Sequence, residues 1–382
     1  MLIQKRDNRL FFILSTVLLW GLLLEAVGSN TASNVSEETT DSVESTQKQT
    51  VPEWLIIDGT RNISYNMVRL LADQNIACTV LVRPEDLSFA AMQLPQNKCI
   101  DIVSFDFTAP IKNPSLCTAG AGAKYLFLDP ECDTYKEWHK VVPVITKNAL
   151  TIAKNNNLTL FYPARVYVFN NEEIITEESP YTPTSSQGLT LMKIESMLKR
   201  AADNKICKIR KIRMSYAFGP AVFDYLLSSS FKDIPTLGRL TWLFRIDKPH
   251  QFCYAPDVAR IALQLSTYRP EVYDFTVHFS GYTYDSVEEF GNAICKVART
   301  TLKPRVVSKF QLSLVCFFEP NAERGSDLGN YFEQPVYMED SAYLVQEIAF
   351  QPTPPELAFK TTLEWFERNQ KATRSHHRRF HV

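Results

Sequence analysis

A short loop, Ile57-Asp58-Gly59-Thr60-Arg61-Asn62-Ile63-Ser64, joins an apolar run beginning at Trp54 to a segment with apolar Met67, Val68, Leu70 and Leu71. A strand-to-helix turn of this kind points backbone N–H groups at the start of a helix, where a phosphate or carboxylate can sit. Gly59 is the single glycine in it, flanked by the carboxylate of Asp58 and the guanidinium of Arg61. Asn62 also opens an Asn-x-Ser/Thr sequon, as do Asn34 and Asn157, so glycosylation is expected at those positions. Hydrolytic chemistry has little to draw on: there is no Gly-x-Ser-x-Gly elbow, and His376-His377 lie too isolated in a basic tail to form a metal site. No metal is expected.

The elements that must position this loop follow from hydrophobic periodicity. Strands are expected at Trp54 to Ile57, Cys78 to Arg83, Ile100 to Phe105, Tyr125 to Leu128, Leu158 to Tyr162 and Lys208 to Arg213, alternating with helices that include Val142 to Lys154 and a closing Pro355 to Gln370. Short apolar strands alternating with amphipathic helices predict an α/β fold, a Rossmann-type doubly wound parallel sheet with a smaller C-terminal lobe. Ordinary composition, with 45% hydrophobic and 22% charged residues and a net charge of -1, argues against a nucleic-acid partner.

Ahead of the fold, Lys5, Arg6 and Arg9 precede an apolar run from Leu10 to Leu24 and then Ala26-Val27-Gly28, the layout of a signal peptide or, if uncleaved, a membrane anchor. Either places the body in the secretory pathway, in the ER or Golgi lumen or outside the cell, touching a membrane only through that segment. All 8 Cys follow it, so disulfides would meet an oxidising compartment, with buried free thiols as the alternative. The expected organisation is a leader 1–28, a disordered polar linker 29–52, a nucleotide-binding-like domain 53–220, mainly substrate-lobe segments 221–371 with returning Rossmann elements, and a basic tail 372–382.

Read in order, these pieces resemble the extended short-chain dehydrogenase/reductase family of NAD-dependent sugar-nucleotide epimerases and dehydratases. Ile57 to Ser64 is similar to its Gly-rich loop, Asp106-Phe107-Thr108 to its Asp-Leu-Thr, and Glu177 to Pro183 (EESPYTP) to the segment before its catalytic helix. Arg213 to Pro220 (RMSYAFGP), Tyr254 to Ala259 (YAPDVA) and Phe350 to Phe366 are similar to its later motifs. The resemblance implies cofactor contacts at Gly59, Thr60, Arg61, Ile63, Asp106 and Phe107, and a 2′-phosphate contact at Arg83, whose alternative is a solvated strand end. It also implies that Cys78 and Cys99, before neighbouring strands, approach disulfide distance, and that a homodimer would use the helix carrying Met192, Met197 and Leu198.

The same resemblance exposes what is missing. The family's glycines are replaced by Asp58, Arg61 and Ser64; its catalytic Ser, Tyr and Lys positions hold Pro163, Gln187 and Leu191. None of the 16 Tyr has a Lys four residues downstream to lower its pKa. Tyr162, Thr159 or Lys193 are the candidates to substitute. The expectation is therefore a pseudoenzyme with no NAD(P) or weak NAD(P) binding, serving as a scaffold for a protein, glycan or nucleotide-like ligand. The alternative is an active NAD(P)-dependent oxidoreductase or epimerase acting on a sugar nucleotide or steroid-like alcohol. A glycan on Asn62 would exclude a dinucleotide from the loop.

Overall fold

Strand alternation decides the layering. Trp54 and Ile56 of β1 (Trp54–Ile57) enter one buried cluster, whereas Leu55 and Ile57 enter another on the opposite face of the sheet. The computed structural model describes residues 53–112, 122–132, 134–170, 174–224, 226–267, 271–318 and 322–369. The leader, the linker with Asn34, Cys117 and the basic tail lie outside the described residues.

The other strands are β2 (Cys78–Val82), β3 (Ile100–Ser104), β4 (Tyr125–Leu128), β5 (Thr159–Arg165), β6 (Ile209–Met214), β7 (Tyr216–Phe218), β8 (Arg239–Leu243), β9 (His250–Tyr254), β10 (Asp274–Phe279), β11 (Tyr282–Tyr284) and β12 (Lys303–Val307). The helices are α1 (Asn62–Asp73), α2 (Leu87–Gln93), α3 (Tyr135–Asn156), α4 (Ser186–Asp203), α5 (Leu227–Leu237), α6 (Ala255–Thr267), α7 (Val287–Ala298), α8 (Lys309–Phe318), α9 (Glu323–Asp327), α10 (Gly329–Glu333) and α11 (Pro355–Arg368). A 7-stranded parallel sheet runs β10-β6-β5-β4-β1-β2-β3, with β11-β9-β7 and β12-β8 forming smaller sheets. Its order reverses between β1 and β4, which pair with Trp54 opposite Tyr125. In open α/β sheets that reversal is where a ligand crevice opens.

Two elements extend beyond the sequence reading. Helix α3 begins at Tyr135, capped by Thr134, and runs through Pro143, a residue that ordinarily marks a helix start. Strand β5 continues past Tyr162 through Pro163 to Arg165. Leu160 N–H points to Lys208 on the β6 side, so Pro163, three positions on, faces β4, where pairing has already ended at Phe161. Strand β10 was not legible as part of the main sheet, yet it pairs with β6 along its whole length.

Among the described residues no helix is long and apolar enough to cross a membrane, and no cluster of His, Cys, Asp and Glu could hold a metal.

Candidate functional site

The crevice between β1 and β4 is lined by charge that is already paired. Asp58, where the turn leaves β1, adopts φ 53, a left-handed conformation usually left to glycine but tolerated by Asp. Its Oδ1 accepts from the Thr60 hydroxyl at 2.8 Å, and its Oδ2 lies 2.9 Å from Arg61 Nε. Arg61 also stands 3.9 Å from Asp86, which Arg83 holds at 2.5 Å. Arg83 is therefore neither a solvated strand end nor an uncommitted cation.

Across the crevice, Asp129 follows directly after β4, and its Oδ2 accepts the Ile63 N–H at 3.0 Å. A carboxylate of the chain thus occupies the first turn of α1, the position that favours an anion through both its N–H groups and the helix dipole. Arg165, at the end of β5, lies 3.4 Å from Asp129 and bonds Glu131, and Arg324 on α9 stands 3.6 Å from the same Glu131. Trp138 Nε1 donates to Glu131 at 3.0 Å. Burial pushes the Asp129 carboxyl up to about 6 despite the Arg165 guanidinium. Burial acts on Glu131 in the same sense, but Arg165 and Arg324 prevail and hold it below its ordinary value.

Gly59 owes its identity to packing. A Cβ there would lie 2.5 Å from Val80 Cγ1 and 2.9 Å from Val68 Cγ2, so its absence lets α1 close onto β1 and β2 without reference to any ligand. Asp106 accepts the Thr108 hydroxyl and the N–H groups of Thr108 and Ala109, which lower its pKa, while Phe107 is buried and its carbonyl is tied to Asn148 of α3.

The positions matched to the catalytic residues hold none of the groups that chemistry needs. Pro163 lies inside β5, and Gln187 and Leu191 sit on α4, 1% and 2% exposed. The substitutes do not converge on them. Tyr162 is fully buried and its phenol is pushed far up by that burial; Thr159 starts β5 at the opposite end; Lys193 is on the exposed face of α4. Instead, motif residues meet in a structural network: Arg213 bonds Glu195 of α4 at 2.5 and 2.7 Å and Tyr181 at 2.6 Å, and Tyr181 donates to Glu195 at 2.6 Å. Two pockets flank Tyr167 and Leu328. One of about 490 Å³ includes Gln187, Tyr216, Asp224 and Arg165, and one of about 530 Å³ lies beside Phe169, Ser185 and Tyr331.

No family model and no curated protein matches the sequence. Solved structures do. A UDP-galactose 4-epimerase aligns over 83% of this chain and 99% of its own at 15% identity, TM-score 0.61. A UDP-N-acetylglucosamine 4-epimerase from Methanobrevibacter ruminantium covers 83% and 99% at 14% identity, TM-score 0.65. A UDP-glucose 4-epimerase from Bifidobacterium longum, solved with NAD+ and UDP, covers 84% and 99% at 14% identity, TM-score 0.65. The chain has the fold of these epimerases.

On this fold, the residues lining the crevice do not suit a dinucleotide diphosphate. The anion position of α1 is filled by Asp129, Arg61 is turned onto Asp58, and every guanidinium named above is matched by a carboxylate. Asn62 is half-buried; its N–H donates to Ala221 O at 2.8 Å and its Oδ1 accepts from Phe223 N at 3.3 Å. Asn157 is exposed in the left-handed cap of α3. Cys78 and Cys99 lie at the start of neighbouring strands, with Cys78 N–H donating to Cys99 O at 2.8 Å, but both are free thiols, and burial pushes the Cys78 thiol up to about 12. Leu198 is core rather than surface, with Met192 packed against the same cluster. The residues that sequence reading missed are Asp129, Glu131, Arg165, Asp224 and Arg324. Only Asp129 carried a local signal, as an acidic residue immediately after an apolar strand.

Proposed function

We propose that this chain is a non-catalytic binding protein on the epimerase scaffold, acting in the lumen of the secretory pathway or outside the cell. The observation that carries the reading is the Asp129 carboxylate seated on the Ile63 N–H at 3.0 Å, where a cofactor phosphate would have to bind. A diphosphate entering there would meet that carboxylate and Asp58 while finding Arg61 and Arg165 already bonded. The absence of an acid/base side chain at Gln187 and of a pKa-tuning Lys at Leu191 supports the same reading. Its ligand would be a protein, a glycan or a nucleotide-like molecule held without chemical conversion.

The likeness to epimerases, one of them solved with NAD+ and UDP, supports the second reading of an active NAD(P)-dependent enzyme. Calorimetric titration of the full chain with NAD+, NADH, NADP+ and NADPH, followed by incubation with UDP-glucose and UDP-galactose, separates the two. Absence of heat and of conversion is expected. Micromolar binding with interconversion of the sugars would replace the first reading by the second.

A further inference from the structure

The pocket of about 490 Å³ beside α4 differs in kind from the crevice, and its wall specifies what it can hold. Leu226, Leu243, Leu312, Leu328 and Phe332 make most of that wall apolar. Its charged groups are committed: Arg165 and Arg324 face Glu131, and Asp224 Oδ1 accepts from Tyr216 Oη at 2.6 Å, Leu226 N at 2.8 Å and Leu227 N at 3.0 Å. An ionic ligand would therefore lose its hydration without gaining a counter-charge. Gln187 also lines the pocket, 1% exposed, and its Oε1 has no hydrogen-bond partner among the described residues. Buried acceptors are rarely left so, and an unmet one points to a missing donor.

We infer that this pocket binds a compact, neutral, largely apolar molecule carrying one hydroxyl group, which donates to the Gln187 amide oxygen. A free sugar is a poor match, because each of its many hydroxyls needs a partner and the wall offers only Gln187 and Tyr167 as polar side chains without an existing bond. The inference rests on the non-catalytic reading, since it assigns Gln187 to recognition where the resembled fold would need a proton shuttle.

The test is titration of the full chain with 2-naphthol, which is neutral at pH 7 and fluorescent, beside 2-methoxynaphthalene, which lacks the donor, and glucose. Saturable binding of 2-naphthol is expected, about tenfold weaker for the ether, with none for glucose. Gln187→Leu should abolish the preference for the alcohol, and Leu243→Trp, which fills the pocket, should abolish binding of both. Equal affinity for alcohol and ether, no binding of 2-naphthol, or a preference that survives Gln187→Leu would overturn the inference. Should Gln187→Leu unfold, the alcohol-to-ether ratio in the unaltered chain and Leu243→Trp still decide it. The outcome is separable from that of the coenzyme titration: NAD-dependent turnover would remove the non-catalytic reading whether or not 2-naphthol binds.

Discussion

The crevice at the β1–β4 reversal and the pocket beside α4 are built from similar residue types and do opposite things with them. In the crevice, carboxylates and guanidiniums from separate segments neutralise one another, and the helix terminus that could attract an anion is satisfied internally. In the pocket, apolar walls surround an amide whose oxygen is unmet. The contrast teaches that a charged crevice need not be open to a ligand: buried Arg61 is met by Asp58 and Asp86, and Arg165 by Asp129 and Glu131. A pocket keeps its capacity to bind only where polar groups stay uncommitted.

The largest effect belongs to the paired network at the back of the site. Arg213→Ala leaves Glu195 buried without its partner and should lower stability by about 3–5 kcal/mol in urea unfolding; a loss below 1 kcal/mol would show that the pair is dispensable.

Next comes the crevice itself, through pH. Because the folded-state pKa of Asp129 is raised to about 6, above roughly 3.9 in the unfolded chain, the folded protein binds the extra proton between those values. Its contribution to stability therefore grows as pH falls from about 6 toward 4 and is lost as pH rises through 6, on the order of 1–3 kcal/mol in all. Glu131, held low by its arginines, works the other way only at lower pH. Asp129→Asn should flatten the slope of stability against pH in that window; an unchanged slope would assign it to another group. Gly59→Ala follows, costing about 1–3 kcal/mol through overlap with Val80 and Val68, and should do so identically with or without added coenzyme.

The smallest effect lies at the pocket. Tyr167→Phe should change the unfolding midpoint by no more than about 0.5 kcal/mol equivalent, because the hydroxyl makes no bond that folding depends on. A larger loss would mean that the pocket is structural, like the crevice.

How much of this was legible is clearest at particular residues. The run Trp54 to Ile57 with its loop and helix could be read directly, because period-two and helical patterns are local properties of the chain. The small sheets could not: β7 and β11 are Tyr216–Phe218 and Tyr282–Tyr284, too short to show a period. Pro163 and Pro143 hid the continuation of β5 and the start of α3, since a proline signals a break in the local pattern and only the surrounding packing carries the element through it. At the site, the departures at Asp58, Arg61, Gln187 and Leu191 were visible as departures, but not what fills their place.

By itself the sequence determined the alternation of strands and helices, the doubly wound class, and the absence of a Tyr with a Lys four residues on. Whether Arg61 would reach outward to a phosphate or inward to Asp58 was decided only by the tertiary structure. So was the seating of Asp129 on a helix 66 residues away. The physical reason is that a residue's type fixes its charge and donors, while its partner depends on which strands become neighbours. The β1–β4 pairing brings the first turn of α1 against the end of β4, and burial then makes the nearest opposite charge the favoured one.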